Sequence, residues 1–492
     1  MTVRLALATL KNLPAVVAAP HYGRAQLSPG ILHFGVGNFH RSHQAVYLDA
    51  LFNRGLDHDW ALVGAGVFEA ERVGRDRLAA QDWLTTVVEQ DAGHRTARVI
   101  GPMVDYVLPG DAAATIERLA DPAIRIVSLT ITEGGYFIDP ASGAFNPHHP
   151  EIVAEAAAPE APRTVFGLIL AGLGRRRRAG IAPFTVMSCD NIPHNGHVAA
   201  DAVIGLARLF DRDLADWVRT NVAFPNGMVD RITPATTDRE RQRLRDEFGV
   251  DDAWPVFCEP FMQWVLEDNF PAGRPALEQV GVTFVDDVSP FELMKIRILN
   301  GGHAAIAYPS GLMDIHYVHE AMQDPLVAGF LEKLEREEIL PTVPPVPGVV
   351  LEDYLHLIER RFANPEIGDT IRRLCLDGSN RQPKFIVPTV ADRLKAGAGV
   401  AGLALVSALW CRYCFGTTDS GAIIAPNDPN WERLQDSAAR ARAEPAAWLA
   451  MDDIYGAAGR DSDFRAAFAQ WLQALWRDGT PATLRRYLAA PA

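Results

Sequence analysis

ILHFGVGNFH, residues 31–40, sets an apolar run against two closely spaced glycines and then a stretch free of glycine and proline. The first part reads as a buried strand, and the last opens a helix that continues through 41–53. Between them GVGNFH (35–40) makes a tight turn. Such a turn lets backbone N–H groups meet a pyrophosphate at a helix N-terminus, where the dipole also favours negative charge. Gly35, Gly37, Asn38 and Phe39 are therefore candidate cofactor-side residues. His40 replaces the third glycine of the usual pattern, so the motif draws its weight from its place, a first strand feeding a helix.

The chain around this turn alternates. WALVGAGV (60–67), LTTVVEQ (84–90), ARVIGPMVDYVL (97–108), IRIVSLTIT (124–132), FTVMSCDN (184–191) and VTFVDDV (282–288) read as strands, with helices at 112–120, 165–178 and 197–210. That alternation predicts a largely parallel sheet covered on both faces. Past residue 286 the pattern turns to amphipathic helices at 291–308, 321–338, 350–362, 399–414, 429–441 and 462–477, interrupted by the rigid loop PTVPPVPG (341–348). The expected architecture is an α/β dinucleotide-binding domain over 1–286 and a mostly α-helical domain over 287–492 that binds substrate and carries the catalytic base. Substrate is expected between the two.

The second strand ends in GAGVFEAERVGRD (64–76). An acid at this point accepts hydrogen bonds from both ribose hydroxyls and repels a 2′-phosphate, favouring NAD over NADP. Glu69 and Glu71 both qualify, although acids also suit the start of a helix for its dipole alone. His33, His40 and His43 have no carboxylate at ligand spacing, so no metal is expected on them. RRRR (175–178) closes a helix and complements its dipole.

A second stretch carries the chemistry. MKIRILNGGH (294–303) looks like a buried helix yet holds Lys295, Asn300 and His303, in a chain where only five of 47 basic residues are lysines. Wound as an α-helix at about 100° per residue with Lys295 at the origin, Glu292 falls at about 60°, His303 at about 80° and Asn300 at about 140°. Ile296 and Leu299 share the arc, so the face is mixed and half-buried. Gly301 and Gly302 weaken the helix by about 1 kcal/mol each and let another chain or a cofactor approach closely. A lysine beside apolar groups loses hydration and its pKa falls. A base near neutrality suits oxidation of an alcohol, because it removes the hydroxyl proton while hydride leaves the carbon. Asn300, and Asn191 at the end of FTVMSCDN, offer the developing alkoxide neutral donors. Glu292, one turn before Lys295, is placed to relay the proton to water. No lysine has a tyrosine four residues before it, and the Cys/His set of a zinc alcohol dehydrogenase is missing. A metal-independent lysine base remains.

The totals narrow the class further. With 492 residues the chain should form two or three domains, and 48% hydrophobic with 22% charged residues is a globular composition. A net charge of -14 argues against nucleic acid or an acidic membrane surface as the main partner. No apolar run approaches the ~18 residues of a membrane span. The first residues are broken by Arg4, Lys11 and Pro14 and show no export pattern. Five scattered cysteines suit a reducing cytoplasm, and packing is the expected role of the lone CxxC at Cys411 and Cys414.

GVGNFHRSHQA, TITEGGYFID, FTVMSCDNIPHNG, FPNGMVDRITP, CEPFMQWVLEDNFPAGRP, FELMKIRILNGGH and DGSNRQPKF occur in that order between residues 35 and 385. Together they resemble the mannitol dehydrogenase family of polyol-specific long-chain dehydrogenases. The resemblance implies a Rossmann-type N-terminal domain, a helical C-terminal domain, a metal-independent mechanism and a monomer. Block by block it implies Lys295 as general base, Asn300 and His303 orienting substrate, Asn191 as second oxyanion donor and Glu292 in the proton path. It further implies Asp230, Arg373 and Arg381 near the polyol, Glu133 at the boundary of cofactor and substrate, and Glu71 rather than Glu69 at the ribose. Arg381 stands where relatives often carry lysine. EGGYF, DNIPHNG, DDAWPVFCEP and DGSNRQPKF resemble the branch acting on D-mannitol. The expected reaction is thus NAD-dependent interconversion of D-mannitol and D-fructose, with D-mannonate (fructuronate reduction), D-arabinitol and D-sorbitol as alternative substrates.

Overall fold

A computed structural model describes residues 2–139 and 143–491. The chain forms two compact units, Met1–Ser289 and Pro290–Ala492.

At the centre of the first unit stand β1 (Pro29–Phe34), β2 (Ala61–Ala65), β3 (Met103–Tyr106), β4 (Ile126–Leu129) and β5 (Thr185–Ser188). Their order across the sheet is β3-β2-β1-β4-β5 and every neighbouring pair is parallel. This is the order of a Rossmann sheet, with the topological switch between β1 and β4. The strands are apolar almost throughout because helices cover both faces. Leu32, Phe34, Val127 and Leu129 pack with Phe166, Ile169, Leu173 and Val203 of helices Val165–Ala179 and Asn195–Phe210. Ile31, Leu62, Ile126 and Met187 face the opposite way and pack with Val46, Leu48 and Leu51 of helix Gln44–Asn53. The two-residue alternation of a strand thus divides one run between two cores.

Helix boundaries follow local chemistry. Thr164 Oγ1 accepts the Gly167 N–H at 3.0 Å and starts the helix that Gly180 ends at φ 68°, a left-handed position where glycine costs least. At the end of that helix Arg176 is buried and donates to the carbonyls of Leu119 and Ala182, both at 2.7 Å. This arginine of RRRR is therefore a tie between loops, beyond the dipole role expected.

Three of the sequence-predicted strands differ. ARVIGPMVDYVL breaks at Gly101-Pro102 into His94–Ile100 and β3, which lie in different sheets. Proline offers no N–H for a continued ladder. Thr85–Asp91 pairs antiparallel with His94–Ile100 in a separate four-stranded sheet, outside the parallel one. VTFVDDV contributes only β8 (Thr283–Val285), which joins β6 (Gly227–Asp230) and β7 (Gln263–Glu267) in a three-stranded sheet.

Among the described residues of the second unit the regular structure is helical, with only isolated bridges such as Tyr317 with Thr370. Helix Ala401–Cys414 is buried along nearly its whole length. Its first turn is capped from a distance, the Glu338 carboxylate accepting the N–H groups of Gly402 at 2.5 Å and Leu403 at 2.9 Å. Trp471 of helix Ser462–Ala489 donates its indole N–H to the Ala401 carbonyl at 2.8 Å. Cys411 and Cys414 are buried in this core, where burial pushes both thiols well above their usual range. No helix among the described residues is long and apolar enough to cross a membrane.

Candidate active site

The chemistry-bearing residues of the first unit stand at the carboxyl ends of its strands. Gly35, just past β1, has φ 88°, and a Cβ there would collide with the Thr130 carbonyl oxygen past β4. Only glycine lets the two strand ends close this way. Gly37 is open, its virtual Cβ meeting nothing nearer than the Gly35 oxygen at 3.7 Å. Arg41 braces the turn, donating to the Gly37 carbonyl at 3.2 Å and to Asn38 Oδ1 at 2.7 Å while lying 3.9 Å over the Trp254 ring. Asn38 Nδ2 in turn donates to the Pro234 carbonyl at 3.1 Å. The Asn38 side chain is therefore committed to the framework. Phe39 is half-buried and stacks on His43 at 4.8 Å.

His40, where a third glycine is usual, stacks on His33 at 3.6 Å beneath the turn. Burial pushes His33 down to about 3 and holds His40 well below the ordinary histidine range, so both rings are neutral supports. No cluster of three or more His, Cys, Asp or Glu side chains among the described residues could hold a metal. The blocked Gly35 and the open Gly37 at the switch point of a parallel sheet fit a dinucleotide pyrophosphate.

At the end of β2, Glu71 curls under its own turn. Its Oε2 accepts the N–H groups of Val67 and Phe68, both at 2.8 Å, and a Cβ on Gly66 would lie 2.8 Å from the same oxygen. Burial raises its pKa and the two N–H groups oppose the rise. Glu69 is exposed and pairs with Arg72 at 3.4 Å. Of the two acids, Glu71 is the one fixed by the fold.

Past β4, Thr132 sits at φ 64°, a region that costs a β-branched residue about 1–3 kcal/mol. It leads into a short turn, Glu133–Tyr136, whose first residue is exposed. Past β5 come buried Asp190 and exposed Asn191. Asp190 Oδ1 accepts the Thr132 N–H at 2.8 Å, and Oδ2 accepts the Ile131 N–H at 3.0 Å and the Tyr136 hydroxyl at 2.7 Å. Asn195 is fully buried; it donates to the carbonyls of Asp190 at 3.0 Å and Gly227 at 2.8 Å and accepts the Gly227 N–H at 2.9 Å. Gly227 opens β6, which ends in buried Asp230. Sequence reasoning singled out Asn191, Glu133 and Asp230; the supports Asp190, Asn195 and Tyr136 carried no signal beyond their place in the same motifs.

The long helix that opens the second unit begins as α-helix at Ser289–Met294, its first residue the last of the first unit, winds as π-helix over Lys295–Asn300 and returns to α over Gly301–Leu312. The Gly301 N–H reaches back to the Ile296 carbonyl, five residues earlier. This corrects the uniform α-helical wheel. An i→i+5 ladder advances the chain by only about 50° beyond a full turn after five residues, against about 140° in an α-helix, so Lys295 and Asn300 share a face more closely than α-winding allows. Lys295 and Glu292 are each 7% exposed, and Asn300 and His303 are half-buried. The glycines also differ from expectation. Gly301 faces the Phe385 carbonyl, and Gly302 faces Glu335, Leu331 and Phe362, so within this unit they serve helix packing.

His303 stacks on Phe362 at 4.1 Å. Burial holds its imidazole well below the usual range, and the positive charges of Arg373, Arg361 and Arg381 push it lower still. Arg373 is chelated by Asp369, with Nε to Oδ1 at 2.5 Å. Arg381 donates to the Leu374 carbonyl at 3.0 Å. The fold thus gathers the two predicted arginines around His303 and adds buried Arg361, which the sequence did not distinguish. A neutral imidazole among fixed cations can accept or donate a hydrogen bond to a hydroxyl without itself taking up a proton.

A parallel sheet with a glycine turn at its switch point, followed by a helical unit with a buried lysine, defines a two-domain dehydrogenase with a Rossmann-type dinucleotide-binding domain. Residues 29–279 match the mannitol dehydrogenase Rossmann domain and residues 287–476 the mannitol dehydrogenase C-terminal domain. The chain belongs to the mannitol dehydrogenase family. It is 64% identical to a mannitol 2-dehydrogenase of Cereibacter sphaeroides over 96% of this chain and 99% of that one. Among solved structures it is similar to the Pseudomonas fluorescens mannitol 2-dehydrogenase ternary complex with NAD and D-mannitol, at TM-score 0.89 and 45% identity over 99% and 100% of the two chains. A substrate-free D-sorbitol dehydrogenase matches at TM-score 0.90 and 36% identity over 98% and 100%.

Proposed function

We infer that the protein is an NAD-dependent polyol dehydrogenase that reversibly oxidises D-mannitol to D-fructose without a metal. One observation carries the chemical part: Lys295 is buried at the start of a π-helical segment that ends in Asn300. An amine so placed is removed from bulk water and shares its face with a neutral amide donor. Lys295 takes the proton of the reacting hydroxyl, and Asn300 and Asn191 donate to the oxygen as negative charge develops on it. Glu292, buried one turn before the lysine, passes that proton toward water. His303, kept neutral, orients the polyol chain, and Asp230, Arg373 and Arg381 contact its other hydroxyls. Bound NAD supplies the hydride acceptor. Gly35, Gly37 and the backbone of Asn38 and Phe39 hold its pyrophosphate, Glu71 its ribose, and Glu133 lies toward the nicotinamide end. The protein acts as a cytoplasmic monomer in this reading.

Two observations favour other substrates. The likeness to a D-sorbitol dehydrogenase supports D-sorbitol, and D-arabinitol presents similar hydroxyl configurations. The three arginine charges that reach His303 support a sugar acid such as D-mannonate, but Asp369 already neutralises Arg373 and Arg381 is spent on a carbonyl. An uncharged polyol therefore remains the better fit. Initial rates on D-mannitol, D-arabinitol, D-sorbitol and D-mannonate decide the point, and a kcat/KM highest for D-mannonate would replace this reading. Lys295→Ala should lower kcat by about 10³-fold while NADH still binds; turnover near that of the parent would remove Lys295 as the base.

A further inference from the structure

The loops past β4 and β5 are joined by one carboxylate. Asp190 accepts three donors, two of them the consecutive N–H groups of Ile131 and Thr132 and the third the Tyr136 hydroxyl. Tyr136 OH also lies 2.6 Å from Ser188 Oγ, which accepts the Asp190 N–H at 3.3 Å, so the clamp closes on the end of β5. The Asp190 carbonyl is taken by Asn195, which holds both backbone groups of Gly227 at the start of β6. Thr132 and Phe137, at φ 64° and 54°, flank the Glu133–Tyr136 turn with backbone that would relax if released. Asn191 follows Asp190 directly in the chain and is exposed.

We propose that Asp190 is a positioning residue for the oxidation step, the group that sets Asn191 in place by clamping its loop to the turn that follows β4. Its carboxylate is spent on these three donors. Its two oxygens are acceptors for fixed backbone donors, a role that an amide of the same shape cannot fill, because one of the oxygens becomes an NH2 facing an N–H. The proposal rests on the reading of Asn191 as an oxyanion donor, since displacing such a donor lowers turnover while its loss from the fold leaves cofactor binding intact.

The test is a double-mutant cycle on the full-length enzyme. Asp190→Asn should lower kcat for D-mannitol oxidation by about 100-fold, with the KM for NAD and the NADH Kd changed less than about threefold. In an Asn191→Ala background the same substitution should add less than about threefold, because the group it positions is already gone. Equal losses in both backgrounds, or kcat unchanged in Asp190→Asn, would overturn the clamp while leaving Asn191 as a donor. Parent-like turnover of Asn191→Ala alone would overturn the reading of Asn191 and the proposal with it. Should Asp190→Asn fail to fold, Tyr136→Phe removes one arm only; it should lower kcat by about tenfold and lose that effect in the Asn191→Ala background. An additive Tyr136→Phe effect would count against the clamp in the same way.

Discussion

Glu71 has two claims on its carboxylate, the N–H groups of its own turn and, in the proposed reading, the ribose of a bound dinucleotide. Oε2 satisfies the first by accepting Val67 and Phe68. Glu71→Ser removes the negative charge and should lower the NAD/NADP ratio of kcat/KM by about tenfold or more, equivalent to ~1.4 kcal/mol. A ratio that does not move would leave Glu71 with the turn alone. Lys295 was legible as an oddity because lysine is rare in this chain, 5 of 47 basic residues. Arg361 was not, since arginine supplies the other 42 (47 minus 5) and nothing local marks the one that the fold buries near His303. Asp190 was hidden for a different reason: its three partners lie more than fifty residues away in the chain.

At the scale of the element, periodicity placed the long helix but not its winding. Both α- and π-helices present apolar residues every turn, and the choice at Lys295–Asn300 depends on what packs against the helix. Two adjacent glycines test that packing with opposite signs. A Cβ on Gly301 meets nothing closer than 3.6 Å, so Gly301→Ala should stabilise by about 0.5–1 kcal/mol through helix propensity. A Cβ on Gly302 would stand 3.1 Å from Glu335 Oε1 and 3.4 Å from both Leu331 and Phe362. Glu335 is fully buried and has no solvent to retreat into, so Gly302→Ala should destabilise by about 1 kcal/mol net, overpacking outweighing propensity. Urea midpoints of the two variants provide the measurement, and shifts of the same sign would contradict this account. The strand run 97–108 was misjudged at the same scale. Its apolar pattern is continuous across Gly101-Pro102, while the hydrogen-bond ladder is not.

For the molecule as a whole, Glu335 links stability to pH. Its side chain is fully buried, neither oxygen has a hydrogen-bond partner among the described residues, and burial together with the charge of Glu359 holds its pKa well above the usual carboxylate range. An unfolded glutamate titrates at about 4.3. Above that pH the unfolded chain releases a proton that the folded chain retains, so the unfolded state binds fewer protons and stability falls as pH rises toward the folded pKa. Glu335→Gln removes the term. The Tm of the variant relative to the parent should therefore climb between pH 5 and pH 8, by at least about 2 °C, and the advantage should vanish near pH 4. Parallel Tm curves would show that Glu335 ionises freely in the folded state.

The sequence by itself determined the two kinds of architecture, the glycine turn at 35–37, the rare lysine and the family, because each is written in residue type and short-range spacing. The tertiary structure alone decided that His40 packs beneath the turn, that Glu71 curls into its own loop, that three arginines converge on His303 and that Asp190 binds two loops together. Those outcomes depend on burial and on partners distant in the chain. A hydrogen bond across fifty or more residues leaves no period in the sequence, and a carboxylate or imidazole looks the same in one-letter code whether water or protein surrounds it.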